Sequence, residues 1–435
     1  MLIPYYFPIK ANEKARIAEQ SPRPFNGRIK QLPASGRCRV NCQSKLCVAH
    51  MPPEDFDCVV IGAGVQGCFT AYHLAKNGKR TLLLEQFVLP HSRGSSHGQT
   101  RIIRKAYEHD FYTHMMAECY QLWAQLEKEA GVQLYRRTGL LLMGPEKGRD
   151  FQLFRDTMER NAIPTVTLAP GEFGRHIPHV NRSPGDGAIV DTTAGVLYAD
   201  RALRAVQEVF RRLGGVIKDG EKVTDVQPGS PVAVTTASGT YRAKSLVITA
   251  GPWANTLLSH TELQLPLQVV KINVCYWREK TPGTYAVRNR FPCFLHVDVA
   301  EHHIYGLPSN EYPGLVKVCY HMGSETDPDE RDRQTDRGDI DVLSRYIARH
   351  FPGLVPTPAV VESCMYTLTP DHHFVLDCHP SHRNIVIGAG FSGHGFKFGP
   401  VVGKVLCELA LGRVPSYDLS PFKIQRFPPH SKSAL

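Results

Sequence analysis

The sequence predicts an α/β fold in two parts, a Rossmann-like domain and an α+β domain built on an antiparallel sheet. Three observations carry that reading. An apolar run at 56–61 enters Gly62-x-Gly64-x-x-Gly67, a helical stretch follows, and a second apolar run ends in the acid Glu85. Near the other end of the chain, Ile385-Val386-Ile387 runs into Gly388-Ala389-Gly390. Between them, 268–321 is rich in β-branched and aromatic residues broken by turn signals, as antiparallel strands are.

Residues 1–50 show no hydrophobic periodicity and hold Pro4, Pro8, Pro22, Pro24 and Pro33. They read, through residue 52, as a disordered basic extension. The strand at 56–61, a helix to about Asn77 stopped by Gly78, and a strand at 80–85 make one βαβ unit. Met115, Cys119, Leu122, Trp123 and Leu126 stand at helical spacing and predict a helix over 111–130. A second helix is predicted over 200–213, closed by Gly214-Gly215. Strands at 223–226, 232–236 and 245–249 follow, the last entering Ala250-Gly251. A loop of mixed charge covers 325–341, a buried strand 384–388, and a last helix about 399–411.

Composition narrows the class. In 435 residues, 42% hydrophobic and 21% charged side chains exclude a collagenous or mostly disordered chain. No run reaches the ~18 apolar residues of a membrane span, and the best candidate, 58–72, holds three glycines. The net charge of +10 is concentrated at the start, where residues 1–50 carry nine Lys or Arg against two Glu. The rest is nearly balanced, so the body is not expected to bind nucleic acid. The 12 cysteines form no CxxC pair and no zinc-ligand spacing. No metal is expected, and most of the thiols read as buried and reduced.

The glycine motif suits a dinucleotide. Gly62 permits the tight turn, Gly64 lets backbone approach a pyrophosphate, and Gly67 lets the helix pack closely. The helix N-terminus faces the negative charge. Glu85 is placed to accept hydrogen bonds from ribose hydroxyls. This unit alone does not separate FAD from NAD. The first motif, the middle strand ending in Ala250-Gly251 and the late strand into Gly390 and Gly393 together decide for FAD, since FAD-dependent amine oxidases assemble one site from such distant segments.

The specific segments are His91-Ser92-Arg93-Gly94-Ser95-Ser96-His97-Gly98-Gln99-Thr100-Arg101-Ile102-Ile103-Arg104, Tyr305-Gly306-Leu307-Pro308, Lys317-Val318-Cys319-Tyr320-His321, Ser363-Cys364-Met365-Tyr366-Thr367 and 390–397. Through them the chain, from about residue 56 onward, resembles the monomeric sarcosine oxidase family of FAD amine oxidases. The resemblance implies an FAD-binding domain made of 53–135, 196–266 and 362–420, and a substrate domain made of 136–195 and 267–361. A tail, 421–435, carries a targeting signal.

The resemblance also implies roles. Cys364 matches the cysteine joined by a thioether to the flavin. His97, Thr100 and Arg101 match residues lining the flavin, where a cation favours the anionic flavin and lowers the thiol's pKa. Arg104 and Lys397 match a carboxylate-binding pair. Tyr305, His321, Tyr366 and His394 match the lining of the substrate pocket. Lys317 matches a lysine beside the flavin that supports reaction with oxygen; by strand alternation alone it is equally a residue facing water.

The implied activity is oxidation of a small secondary amino acid, such as sarcosine or L-pipecolate, to an imine that hydrolyses, with molecular oxygen reduced to hydrogen peroxide. The alternatives are another FAD amine oxidase or dehydrogenase of the same fold, and a non-enzymatic binder using the basic extension. A monomer is expected. Ser433-Ala434-Leu435 resembles the Ser-Lys-Leu address read by the peroxisomal import receptor. The acid-poor extension 1–50 points instead to mitochondria if it acts as a transit peptide.

Overall fold

The structure, a computed structural model, describes residues 54–428 apart from Glu311. The basic extension and the terminal Ser433-Ala434-Leu435 lie outside the described residues.

The first sheet is built around Glu54–Ile61. Thr81–Leu84 and Gly239–Ile248 flank it in parallel, and Val216–Lys218 extends the sheet beyond Thr81–Leu84, also in parallel. The strand Gly239–Ile248 has two neighbours on its far edge. Its first half pairs antiparallel with Val232–Thr236, which forms a hairpin with Val223–Gln227. Its second half pairs in parallel with Ile385–Ala389, which carries Val375–Cys378 outside it. These central strands read as continuous apolar runs because both faces are covered. Alternate side chains go to different cores. Val60, Leu83, Val247 and Val386 pack under the helices Val65–Lys76, Asp110–Ala130, Ala199–Arg212 and Gly399–Ala410. Val59, Leu82, Leu84 and Ile248 pack on the opposite side against the hairpin and Leu257.

The second sheet has nine strands. Its spine is Gln268–Glu279, paired along one edge with the long strand Leu354–Leu368 and along the other with Leu315–Tyr320 and Ser324–Glu325. Outward follow Ile304–Leu307, Cys293–His296, Leu140–Pro145, Asp186–Asp191 and Thr165–Thr167. Every pair is antiparallel except Cys293–His296 with Leu140–Pro145, so the expected antiparallel sheet is mixed at one junction. The helix Gly338–His350 covers one face, packing Leu343, Tyr346 and Ile347 against Trp277, Phe294 and Phe351. A small antiparallel sheet of Thr100–Ile103, Gly195–Tyr198 and Tyr135–Arg137 adds a third layer.

Several boundaries move. The segment expected as a loop to 341 ends at 337, because Ile340, Leu343, Ile347 and His350 form an apolar helix face. The helix Arg149–Arg160, buried through Phe151 and Phe154, had not been expected. The strand expected from 245 begins at Gly239, where the exposed Arg242 and Lys244 interrupt the apolar pattern. The expected domain boundaries at 195/196 and 361/362 fall inside the strands Gly195–Tyr198 and Leu354–Leu368. The first part of the expected tail is packed: Phe422 is buried in the core, and Arg426 pairs with Asp371 at 2.7 Å.

Candidate active site

A cavity of about 1570 Å³ lies where the carboxyl ends of the parallel strands meet the second sheet. That is the general ligand position in open α/β sheets. Its walls come from the turns after Ile61, Leu84, Ile248 and Ala389, and from the strands bearing Lys317 and Cys364.

At the nucleotide end, Gly62 has φ +99°, and an added Cβ would stand 2.5 Å from the Thr249 carbonyl oxygen. A Cβ on Gly67 would stand 1.9 Å from the Gly62 carbonyl oxygen, so helix and turn approach only without side chains. Beside Gly64 the nearest neighbour of such a Cβ is the Ser96 hydroxyl, which accepts the Val65 N–H. Glu85 follows Thr81–Leu84 directly. Its carboxylate accepts the N–H groups of Ala63 at 2.8 Å and Phe87 at 3.1 Å, and meets His91 at 3.3 Å. It therefore braces the glycine turn as well as facing the cavity. Sequence reasoning missed Arg331, whose buried guanidinium donates to the carbonyls of Ser92 and Arg93 and ties the 325–337 segment to this wall.

In the middle of the cavity, Arg101 donates to the carbonyls of Ser95, His97 and Thr100 at 2.7–3.0 Å. His97 bonds the Ser363 carbonyl at 3.0 Å through Nε2. Burial, with the Arg101 charge beside it, pushes His97 down to about 4. His97 is thus neutral near pH 7, and the cation expected at this place is Arg101. Cys364, 6% exposed, projects from Leu354–Leu368 opposite Ile272, with its Sγ 3.9 Å from the Ser95 carbonyl oxygen. Lys317, 6% exposed, donates to the Thr100 carbonyl at 3.2 Å. It therefore faces the cavity, and the alternative of a water-facing strand residue falls. Burial first, then Arg101, holds its ammonium below the usual lysine range.

At the far end, Tyr366 links two groups. Its hydroxyl is 3.2 Å from the Tyr305 hydroxyl and 3.3 Å from His321 Nδ1. Gly393, at φ +79°, lets the late turn pass this pair, since a Cβ would meet the Tyr366 ring at 2.5 Å. Gly390 makes the preceding turn at φ +63°. Burial pushes His321 down to about 3 and His394 well below its ordinary value, so both are neutral. Lys397, 7% exposed, donates to the Tyr107 hydroxyl at 3.0 Å and the His394 carbonyl at 3.1 Å. Arg104 donates to the Ala106 carbonyl and lies over the rings of Tyr107 and Phe154. Neither Arg104 nor Lys397 pairs with a carboxylate among the described residues.

All seventeen residues expected at the site line or brace this one cavity. Tyr107 and Phe154 were not anticipated, although Tyr107 stands only three residues after Arg104.

The residues fit a flavin dinucleotide. The turn after the first strand leaves the helix N-terminus open toward the cavity. The buried Ser95 Oγ, His97 Nδ1 and Thr367 Oγ1 have no hydrogen-bond partner among the described residues, and all three belong to residues on the cavity wall. Such atoms call for a bound polar group. Fold and site together define a flavin-dependent oxidoreductase, with the cations Arg104 and Lys397 at one end of its cavity.

Comparison with known proteins agrees. The family described as FAD dependent oxidoreductase matches 57–409, and the chain belongs to that family, within it to the sarcosine oxidases. It is 57% identical to the human peroxisomal sarcosine oxidase over 383 residues, 87% of this chain and 98% of that one. It is 35% identical to the monomeric sarcosine oxidase of an Arthrobacter strain, over 86% of this chain and 97% of that one. Among solved structures, NikD, an unusual amino acid oxidase essential for nikkomycin biosynthesis, superposes with a TM-score of 0.74 at 26% identity, covering 85% of this chain and 98% of that one.

Proposed function

We propose that this chain is an oxidase of small secondary amino acids such as sarcosine or L-pipecolate, with the substrate carboxylate held by Arg104 and Lys397. The observation that carries the reading is that pair: two cations with no carboxylate partner among the described residues, at the end of the cavity where burial keeps His321 and His394 neutral. A guanidinium offers a two-pronged fork and an ammonium a point charge. The same field favours the neutral form of the substrate amine, since a third cation beside Arg104 and Lys397 is disfavoured. The neutral form has the lone pair that loss of the neighbouring C–H requires. His321, Tyr366 and Tyr305 wall the substrate's other side with uncharged groups. A flavin held in this cavity would supply the two-electron acceptor for that step, with oxygen as the final acceptor reduced to hydrogen peroxide. The imine then hydrolyses in water.

Cys364 would hold the flavin by a thioether, its thiolate being the soft nucleophile for that bond and oxygen the final acceptor of the two electrons that bond formation releases. Lys317 supports the oxygen step, because an ammonium in a buried site stabilises negative charge developing on oxygen. The enzyme works in peroxisomes, a reading supported by its human and mouse relatives, which are peroxisomal sarcosine oxidases; the address proposed for it is Ser433-Ala434-Leu435, read by the import receptor. The mitochondrial alternative is tested with it.

Peroxide release and oxygen consumption over a panel of N-methyl and cyclic amino acids test the activity. Turnover of primary amino acids alone overturns it. A fluorescent protein fused ahead of 51–435 tests the address: diffuse signal, unchanged by removing the last three residues, overturns that part.

A further inference from the structure

Arg104 and Lys397 lie far apart in the chain, one just past Thr100–Ile103 and the other in the turn Phe396–Phe398. Both meet one side chain. The Lys397 ammonium donates to the Tyr107 hydroxyl at 3.0 Å, and the Arg104 guanidinium lies 4.1 Å from the centroid of the Tyr107 ring. Tyr107 is 2% exposed and lines the same cavity. We propose that Tyr107 is the positioning residue that fixes both cations at one spacing, so that a single carboxylate meets the two together. This rests on the reading of Arg104 and Lys397 as the carboxylate-binding pair.

Two like charges facing one cavity repel each other, and something between them must hold both in place. Tyr107 attracts each by a different part. The face of its ring carries negative charge and draws the guanidinium. Its hydroxyl lone pair accepts from the ammonium. An ammonium has three donors. Two are taken by the Tyr107 hydroxyl and the His394 carbonyl, which leaves one for a ligand. Phe154 lies against Arg104 as well, 5.2 Å away, so the guanidinium is steered by two rings and by the Ala106 carbonyl.

The hydroxyl also acts on the charge of Lys397. Burial, Arg104 and Arg101 disfavour its ammonium, while Cys119 and Glu108 act the other way. His394, which packs beside it, is neutral. A hydrogen bond accepted from the charged form favours that form. Without the hydroxyl, Lys397 loses its proton at a lower pH.

The test is Tyr107→Phe, which keeps the ring over Arg104 and removes only the acceptor. Acetate and acetamide are titrated into the holoenzyme across a pH series and followed by flavin absorbance. The wild type is expected to prefer acetate. The variant should bind acetate about tenfold more weakly, the loss expected for one charge-assisted bond, with acetamide unchanged. The alkaline limb of acetate binding should move to lower pH. No preference for acetate in the wild type would overturn the carboxylate pair itself. A wild-type preference with unchanged acetate affinity and an unmoved limb in the variant would overturn the role of Tyr107 alone. Equal weakening of both probes would show general loosening and overturn it as well.

Discussion

Lys317→Met is expected to make the protein more stable and worse at using oxygen. The ammonium is 6% exposed and holds one hydrogen bond, 3.2 Å, to the Thr100 carbonyl. That carbonyl also accepts from Arg101 at 2.9 Å, so deleting the ammonium orphans nothing. What is lost is one charge-assisted bond, about 1.5–3 kcal/mol. What is relieved is a buried cation set beside a second cation, several kcal/mol. Apolar replacement of buried charge often stabilises by about 1–4 kcal/mol, which raises Tm by several degrees. The sign with pH follows. The folded form holds Lys317 below its unfolded value, so between the two values the unfolded chain binds more protons and stability rises with pH. The methionine variant lacks that slope. Meanwhile a lost electrostatic partner for developing negative charge slows a step by about 10²–10³. Stopped-flow measurement of both half-reactions, with thermal melts of the same samples, checks the argument. Normal reoxidation by oxygen refutes the catalytic part, and a lowered Tm refutes the accounting of burial.

Cys364→Ser should release its flavin on acid precipitation while the wild-type chain keeps it by mass; retention by the variant sinks the thioether. Arg104→Lys keeps charge but loses the fork, so sarcosine and carboxylate inhibitors should bind at least about tenfold more weakly, and unchanged affinity would count against the pair. His321 and His97 are held at about 3 and about 4 by burial, against 6.5 for the ordinary side chain. The unfolded chain therefore takes up protons that the fold refuses, and stability falls as pH drops below 6.5 toward those values. His321→Gln should flatten that acid limb of Tm, and an identical limb in both proteins refutes the burial argument.

Much of this site was legible because its residues sit in contiguous, chemically marked segments. Gly62 and Gly67 announce a turn whose left-handed backbone and close helix approach leave no room for a side chain at either position. The continuous apolar runs at 56–61 and 385–387 announce strands covered on both faces. What stayed hidden depended on tertiary neighbours. The lysine at 317 has the same local pattern whether its strand face meets water or cavity. Which of His97 and Arg101 is the cation at that place depended on the burial of His97 and on the guanidinium beside it. Tyr107 carries no motif, and its importance comes from Lys397, which only the folded chain brings to it. The helix Gly338–His350 was obscured by the charge-rich segment before it, although its apolar spacing is regular.

The split construction of the cavity has a consequence for biosynthesis. The first glycine turn is made early, yet its wall is incomplete until the strand Ile385–Ala389 has paired with the strand ending at Ile248. Lys397 follows close to the end of the chain. A polypeptide synthesised only as far as Ile248 has no finished cradle, so cofactor uptake waits for the strand Ile385–Ala389. Chains truncated before residue 385 cannot complete the pocket, and their exposed strand edge at Leu246–Ile248 is a surface for misassembly. Flavin loading would therefore report that translation has passed Ala389.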